Sequence, residues 1–429
     1  MITIKPFRGL RPANGLAHEI VSPPYDVINT EEARVLALKQ KHSFLHVVKP
    51  EIDLPKEQDI HTARVYAKGL ENLKQYMIRN LLIQDEKPCL YIYKLRMGDH
   101  EQVGLMAVSS VEDYKNDRIK KHEYTRLDKE EDRAEHIDCL NAQCGPVFLI
   151  YRAKDEIQRL INQSMEKEPE YNFTGSHEVE HTLYVVDDQK RIQKIVDGFR
   201  KVDCLYIADG HHRSAAAARV YDKRMAANPD HTGNEHYCYY LTVLFPDNHL
   251  RVMDYNRVVK YLNGYSPNAL IEAISDYFDV EHHTPDSRQE KQFRPAKLHE
   301  FGMYLKGNWY KLTSKAGTFD ENDPVEVLDV SILQENLLAP ILDIQNPRTD
   351  NRIHFVGGIR GLEELERLVD HGEYSVAFSM YPTSIDQLMN IADANRVMPP
   401  KSTWFEPKLG SGMVTHLLDE DQSYDSDIK

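Results

Sequence analysis

One stretch of the sequence combines the residue types that bind phosphate, namely Asp209-Gly210-His211-His212-Arg213. It follows an apolar run of strand length and precedes an alanine-rich segment of strong helix composition. The N-terminus of a helix presents unpaired N–H groups and about half a positive charge. Gly210 lets the backbone approach an anion closely, and Arg213 can hold two phosphate oxygens at once. The stretch therefore predicts an exposed phosphate-binding turn between a strand and a helix, although it is not a Walker loop.

The same residues allow other interpretations. Asp209 is of a type that caps helices, and His211 and His212 would then be solvated side chains. Asp209 also suits a divalent cation or the orientation of a histidine, so Asp209 and His211 are candidate catalytic residues as well. Adjacent histidines suggest a metal, but neighbouring residues rarely share one ion.

Two acidic residues elsewhere are candidates for the catalytic base. Asp26 follows Pro23, Pro24 and Tyr25, and the two prolines stiffen the chain before it. Glu51 follows a predicted short strand, and loops at strand ends often carry function. The alternatives are a simple turn at Asp26 and a solvent-facing carboxylate at Glu51.

A basic segment in this acidic protein supplies further candidates. Lys121 and His122 could neutralise a bound phosphate or nucleotide, and Glu123 could join Asp209 and Asp26 around Mg²⁺. The alternative is a charged surface loop. Lys408 lies in a Pro/Gly-rich segment that could reach a pocket or be purely structural.

Composition excludes several classes of protein. The 429 residues include 53 Lys and Arg against 68 Asp and Glu, which gives a net charge of −15. This charge argues against binding to nucleic acid or anionic membranes. The chain contains no apolar run of the ~18–20 residues that a membrane span needs, and its start lacks a signal-peptide core. Its five cysteines are sparse and odd in number, which favours reduced thiols and a cytoplasmic location.

Strand-like and helix-like segments alternate along the chain, which predicts a mixed α/β fold. Thr30 is a candidate N-cap for the first long helix. The predicted strands are 44–48, 89–97, 102–111, 146–151, 202–208, 239–245, 301–305, 309–312, 353–356 and 374–380. Two pairs of these strands are predicted hairpins, one turning at Gly98-Asp99 and the other at Gly307-Asn308. The predicted helices are 30–39, 60–80, 214–227, 362–369 and one that begins at Thr383.

A weakly marked boundary near residue 265 divides the chain into two predicted domains. Residues 1–265 would form the phosphate-binding or nucleotide-binding core, and residues 266–418 a C-terminal α/β region. Residues 419–429 are acidic and contain serine, which predicts a disordered tail.

Four motifs occur along the chain in this order: PPYDV at 23–27, KHEYT at 121–125, ADGHHR at 208–213 and MPPKST at 398–403. Together they resemble a bacterial and archaeal family of unknown function and of about this length. The core of that family is similar to the ParB/sulfiredoxin-like superfamily, which includes free serine kinases. The resemblance implies such a core with large additions. It also implies that a Gly-x-x-Arg-like turn, here Gly210 to Arg213, binds nucleotide phosphates.

The turn and the resemblance imply a small-molecule phosphotransferase. The most specific form is a free L-serine kinase that uses Mg²⁺ with ATP, ADP or pyrophosphate and gives O-phospho-L-serine. One alternative is a phosphatase of a small phosphoester such as phosphoserine. Another is a non-catalytic nucleotide-binding switch protein, which the acidic charge and the lack of a basic recognition helix disfavour. The resemblance leaves Glu51 and Asp26 as competing counterparts of the kinases' catalytic glutamate.

Overall fold

The structure is a computed structural model that describes residues 1–56, 61–285 and 291–419. Its internal contacts define two units: Met1–Leu250 with the chain from Pro407 onward, and Arg251–Glu406. The predicted boundary at residue 265 lies 15 residues after Leu250, where the first unit is interrupted. The sequence did not predict that the chain rejoins the first unit at Pro407. From residue 420 on, the predicted tail lies outside the described residues.

The strands are numbered along the chain. In the first unit they are β1 (Ile4–Lys5), β2 (Leu10–Pro12), β3 (Leu82–Gln84), β4 (Leu90–Met97), β5 (His100–Ser110), β6 (Ile119–Lys120), β7 (Ala142–Gln143), β8 (Val147–Tyr151), β9 (Tyr171–Thr174), β10 (Glu180–Val186), β11 (Leu205–Asp209) and β12 (Tyr239–Pro246). In the second unit they are β13 (Arg251–Met253), β14 (Tyr255–Val259), β15 (Phe278–His282), β16 (Glu300–Leu305), β17 (Asn308–Ser314), β18 (Ile353–Gly357), β19 (Val376–Met380) and β20 (Trp404–Glu406). Strand β21 (His416–Leu417) belongs to the first unit again.

The α-helices follow the same numbering. In the first unit they are α1 (Ala17–Ile20), α2 (Thr30–Lys39), α3 (Leu45–Val48), α4 (Ala63–Ile78), α5 (Val111–Lys115), α6 (Leu127–Leu140), α7 (Asp155–Ser164), α8 (Gln189–Phe199) and α9 (His211–Ala227). In the second unit they are α10 (Pro267–Ile274), α11 (Asp329–Leu333), α12 (Glu363–Asp370) and α13 (Ile385–Asp393).

A nine-stranded mixed sheet organises the first unit. Its order is β6-β11-β8-β12-β5-β4-β10-β9, and β1 pairs with β5 beside this path. Strands β8 and β12 are parallel, as are β6 and β11, while the other pairs are antiparallel. Strand β8 reads VFLIY and is buried along its whole length, as expected of a strand covered on both faces.

Two hydrophobic clusters fill the first unit. Side chains of α7, α8 and α9 form one cluster with side chains of the nine-stranded sheet. The helices α2, α3 and α4 form the other, together with the end of α6 and with β3 and β7. The small side chains of Ala215–Ala218 let α9 pack closely, and all four alanines are buried. This packing fixes the start of α9 at the end of β11.

The second unit is built on a six-stranded antiparallel sheet. Its order is β15-β17-β16-β19-β14-β18, and β13 and β20 form a separate two-stranded pair. Helix α12 packs its apolar stripe against this sheet, where Leu365 and Leu368 join Val258 and Ala377 in one cluster. The MPPKST motif lies in this unit. In the part of the chain that the structure describes, no helix is both long and apolar enough to cross a membrane.

The mixed α/β class is confirmed, as are most of the predicted elements. The predicted strands at 202–208 and 239–245 correspond to β11 and β12, and both belong to the mixed sheet of the first unit. The hairpin predicted around Gly98 is the β4–β5 pair, and the hairpin predicted around Gly307 is the β16–β17 pair. Residue 60, where the predicted 60–80 helix would start, lies outside the described residues, and the observed helix α4 covers Ala63–Ile78 of that range.

Two local predictions are wrong. The predicted strand at 44–48 is the short helix α3, because a run of four or five apolar residues does not distinguish a strand from a buried helix. The N-cap of α2 is Asn29 rather than Thr30, and the Asn29 and Glu32 side chains form a capping box. In the basic segment, residues 121–126 contain no helix or strand, and α6 begins after them at Leu127.

Candidate phosphate-binding site

The predicted turn joins β11 to α9. Strand β11 ends at Asp209, Gly210 has a φ of 103°, and α9 begins at His211. Such a positive φ favours glycine, and a Cβ at Gly210 would lie 3.2 Å from the Arg213 guanidinium and 3.4 Å from the Cα of Val147. No side chain caps this helix N-terminus. The first N–H groups of α9 are thus available to an anion.

Arg213 lies behind the turn and is buried. Its Nη2 atom donates to Asp209 Oδ2 at 3.0 Å and lies 3.5 Å from Asp26 Oδ2. Its Nη1 atom donates to the carbonyl of Pro146. Its Nε atom is buried and has no hydrogen-bond partner among the described residues. The expectation that Arg213 belongs to an exposed cradle is wrong, because only 8% of the residue is accessible.

The charges at the turn keep Asp209 ionised. About a third of its side chain is exposed, and Lys408 Nζ lies 3.9 Å from its Oδ2 atom. Burial alone would raise the pKa of Asp209, but the charges of Lys408 and Arg213 outweigh it and hold that pKa well below its ordinary value. Burial likewise opposes ionisation of Arg213, yet the carboxylates of Asp26 and Asp209 raise its pKa.

Two buried histidines adjoin the turn and are neutral. The rings of His211 and His122 meet edge to face with centroids 4.5 Å apart. Burial lowers the pKa of His122 to about 4. Burial, followed by the proximity of His122, lowers the pKa of His211 well below its ordinary value. The Nδ1 atom of His122 is buried without a hydrogen-bond partner among the described residues, so a donor or an acceptor remains available beside the turn.

The other two motif residues lie at the rim of the turn. The Nε2 atom of His212 accepts a hydrogen bond from the backbone N–H of Arg126 at 3.1 Å. Glu123 Oε2 lies 3.9 Å from His211 Nδ1, and about 39% of the Glu123 side chain is exposed. The structure thus brings the predicted KHEYT and ADGHHR motifs together.

Behind Arg213 lies a pocket of about 460 Å³, which includes its open mouth. The Arg133 guanidinium stacks on the ring of Tyr25 at 4.5 Å and pairs with Asp132. Burial and the charge of Asp26 raise the pKa of Tyr25 to about 12, so the phenol is protonated and can donate. The pocket is lined by Tyr25, Val48, Arg133, His136, Ile137, Gln143, Cys144, Gly145, Val147, Arg213, Ala217, Tyr240 and Leu241.

Two predicted site residues have other partners. The Lys121 ammonium pairs with Asp117 at 2.9 Å and lies over the ring of Tyr114. Glu51 does not project from a strand end, because it lies in a 3₁₀-helix, Pro50–Asp53. It is buried and contacts Lys49 Nζ at 3.2 Å and Thr30 Oγ1 at 3.3 Å.

Sequence reasoning assigned no role to Arg133 or Tyr25, and it placed Lys408 only in a segment that could reach a pocket. Lys408 pairs with Asp209, while Arg133 and Tyr25 line the pocket. The Pro/Gly-rich surroundings of Lys408 and the PPYDV motif around Tyr25 were visible signals. Nothing in the sequence around Arg133 sets it apart from the other charges of α6.

Comparison with known proteins identifies the family. A family model described as "Protein of unknown function (DUF1015)" matches residues 4–331. The chain belongs to this family. No curated protein matches the chain. The family match covers the turn, its histidines and Asp26, whereas Lys408 lies outside it.

Solved structures with a low overall similarity include a free serine kinase in complex with AMP. That structure is 13% identical, has a TM-score of 0.33, and the match covers 70% of this chain and 86% of the kinase. SbnI with a C-terminal truncation, from Staphylococcus aureus, is 12% identical with a TM-score of 0.36, and the match covers 74% of this chain and 90% of SbnI. A conserved hypothetical protein from Pyrococcus furiosus is 14% identical with a TM-score of 0.31, and the match covers 70% of this chain and 90% of that protein. The site is therefore interpreted from its own residues.

Proposed function

We propose that this DUF1015 protein is a small-molecule phosphotransferase whose donor phosphates bind at the start of α9. The observation that carries the proposal is an uncapped helix N-terminus with a left-handed glycine, backed by two buried side chains with an unpartnered nitrogen each, Arg213 and His122. Unpaired buried polar atoms are costly, so their convergence on one turn favours a polar ligand there. Phosphoryl transfer needs positioning and charge neutralisation more than covalent help. The N–H groups of this turn supply the positioning, and a bound cation would supply the charge neutralisation.

The carboxylates at the turn fit Mg²⁺. Asp26 and Asp209 both contact the Nη2 atom of Arg213, so their Oδ2 atoms face the same small region. Mg²⁺ prefers hard oxygen ligands and needs only one or two carboxylates besides phosphate and water. Asp209 would hold the ion in this proposal, and Glu123 lies at the rim. The ion would neutralise charge that develops on the transferring phosphoryl group.

Asp26 is the better candidate for the base that accepts the acceptor's proton. It touches Arg213 at the turn, whereas Glu51 is engaged by Lys49 and Thr30. About 38% of the Asp26 side chain is exposed, so a hydroxyl group can reach it. A general base must come within hydrogen-bond reach of the proton it takes, and Asp26 meets this condition next to the proposed donor site.

Free L-serine is the acceptor that we propose to test first, with ATP, ADP and pyrophosphate as donors. The choice follows the motif resemblance, and the free serine kinase among the solved structures bears a name of the same kind. We propose a cytoplasmic location for this reaction.

Phosphorus NMR of the full chain with Mg²⁺, L-serine and each donor tests the proposal. We expect donor-dependent formation of O-phospho-L-serine, and we expect Arg213→Ala to lose it. The matched control is Arg200→Ala, because Arg200 forms an exposed ion pair with Asp197 on α8. Release of phosphate from O-phospho-L-serine without a donor would instead identify a phosphatase. If no donor loses phosphate and Mg²⁺-ATP does not bind in calorimetry, the proposal is wrong.

A further inference from the structure

A second group of side chains converges in the loop between α9 and β12. Here His231, Glu235 and Cys238 bring one nitrogen, one oxygen and one sulfur atom within 4.8 Å of one another. His231 Nδ1 lies 3.2 Å from Glu235 Oε2, and Cys238 Sγ lies 3.4 Å from the same oxygen. Among the described residues, no other group of three or more His, Cys, Asp or Glu side chains converges in this way.

The local backbone holds Glu235 in place. Its carboxylate accepts hydrogen bonds from the backbone N–H of Thr232 at 2.6 Å and of Gly233 at 2.9 Å. A 3₁₀-helix, His236–Cys238, then carries Cys238 back toward the carboxylate. Cys238 is 5% exposed, whereas His231 and Glu235 are half-buried. The donor set is therefore ordered before any ligand arrives and remains open on one side.

Two of the three separations between the ligand atoms match those of a tetrahedral zinc site, and the third, between the ligand atoms of His231 and Cys238, is at most 4.8 Å. Zinc bonds of about 2.0–2.3 Å to nitrogen, oxygen and sulfur place neighbouring ligand atoms roughly 3.3–3.7 Å apart. The two contacts to Glu235 Oε2, at 3.2 and 3.4 Å, lie close to that range. A thiolate with an imidazole favours zinc over the hard cations Mg²⁺ and Ca²⁺.

We propose that His231, Glu235 and Cys238 form a zinc site that is separate from the phosphate-binding turn. Three protein ligands leave one position for water. The site would tie the end of α9 to the start of β12. Zinc is bound by the thiolate of Cys238, so binding releases the thiol proton to solvent.

The test uses the full chain after chelator treatment and dialysis. We expect one zinc ion per chain by elemental analysis after reloading. With Co²⁺ in place of zinc, we expect a thiolate-to-metal charge-transfer band in the near ultraviolet. Cys238→Ser should abolish the band and weaken zinc binding by more than the roughly 10–100-fold that loss of an outer-shell partner costs. Glu235→Gln keeps an acceptor for only one of the two backbone N–H groups, because Oε1 accepts from Thr232 and Oε2 from Gly233. It should weaken zinc binding as well.

The matched control is Cys204→Ser, because Cys204 is a free and partly exposed cysteine outside the cluster. It should retain both the band and the stoichiometry. Circular dichroism of each variant checks that the fold persists. Failure of the wild-type chain to retain zinc at micromolar concentration would overturn the proposal, as would a cobalt band that survives in Cys238→Ser.

Discussion

Replacing Arg213 by alanine should destabilise the first unit and not only remove activity. The guanidinium is the common partner of Asp209 and Asp26 and donates to the carbonyl of Pro146. Only 8% of Arg213 is exposed. Removing it leaves two carboxylates facing each other with Lys408 as the remaining cation near Asp209.

The expected cost follows from the burial of the partners. Removing one member of a buried ion pair costs about 3–5 kcal/mol, whereas exposed pairs contribute about 0–1 kcal/mol. Both carboxylates here are about a third exposed, so water screens part of the interaction. We therefore expect Arg213→Ala to lower the free energy of unfolding by about 2–3 kcal/mol, and Arg200→Ala by about 1 kcal/mol or less.

The loss should depend on pH with a definite sign. The folded-state pKa of Asp209 is lowered, so its stabilising effect is complete above the ordinary carboxyl pKa of 3.8. That stabilisation disappears as the pH falls through the lowered value. The difference between wild type and Arg213→Ala should hence be constant from about pH 5 to pH 8 and shrink below about pH 4.

Hydrogen–deuterium exchange of peptides from β11 and α9, measured across a urea series, reports this stability directly. Tryptophan fluorescence does not, because both tryptophans, Trp309 and Trp404, lie in the second unit. Turnover in Arg213→Ala should fall by roughly 10²–10⁴-fold, and Arg213→Lys should recover only part, since lysine lacks the planar fork. The reasoning would be refuted if the free energy of unfolding of Arg213→Ala from exchange at pH 7 were within 1 kcal/mol of the wild-type value. It would also be refuted if the difference between the two free energies grew on acidification.

Three further predictions concern the same site. Gly210→Ala forces a φ of 103° on alanine and places its Cβ 3.2 Å from Arg213, so it should lower the free energy of unfolding by about 1–3 kcal/mol and weaken donor binding in calorimetry. Gly98→Ala, with a positive φ but open space, should show only the smaller backbone cost of about 1 kcal/mol. Because His122 has a pKa of about 4, below its ordinary value of 6.5, wild-type stability should decline between about pH 6.5 and pH 4, and His122→Gln should flatten this decline in urea titrations. An equal decline in the variant would contradict the assignment. Asp26→Asn should lower kcat far more than it changes the KM for the donor if Asp26 is the base, and unchanged kcat would exclude it.

The sequence predicted those parts of the fold that local patterns determine. The change from an apolar run to glycine and then to alanines located the β11–α9 junction, and the Gly98 and Gly307 turns located two hairpins. Residues 44–48 were misassigned because a short apolar run fits a buried helix as well as a strand. The identity of the residues that face the turn depends on chain path, since Asp26 and Arg213 meet across 187 positions of sequence.

The burial of Arg213 could not be predicted for the same reason. An arginine in the first turn of a helix is usually solvent-exposed, and only the packing of Asp26 and Pro146 against it encloses this one. Similarly, His122 and His211 are neutral because burial lowers their pKa values, and this burial is an effect of tertiary packing rather than of residue type.

These corrections change the electrostatic account of the proposed site. With His211 neutral, the charged groups that adjoin the turn are the cations Arg213 and Lys408 and the carboxylates Asp209, Asp26 and Glu123. The side chains therefore provide no excess positive charge for a donor that carries several negative charges. The helix N-terminus supplies only about half a charge. A polyphosphate donor would consequently need to bring a divalent cation with it, and Asp209 is placed to receive that cation. The predicted dependence on Mg²⁺ thus follows from the charge balance of the turn, and donor binding without any divalent cation would show that this balance has been assigned incorrectly.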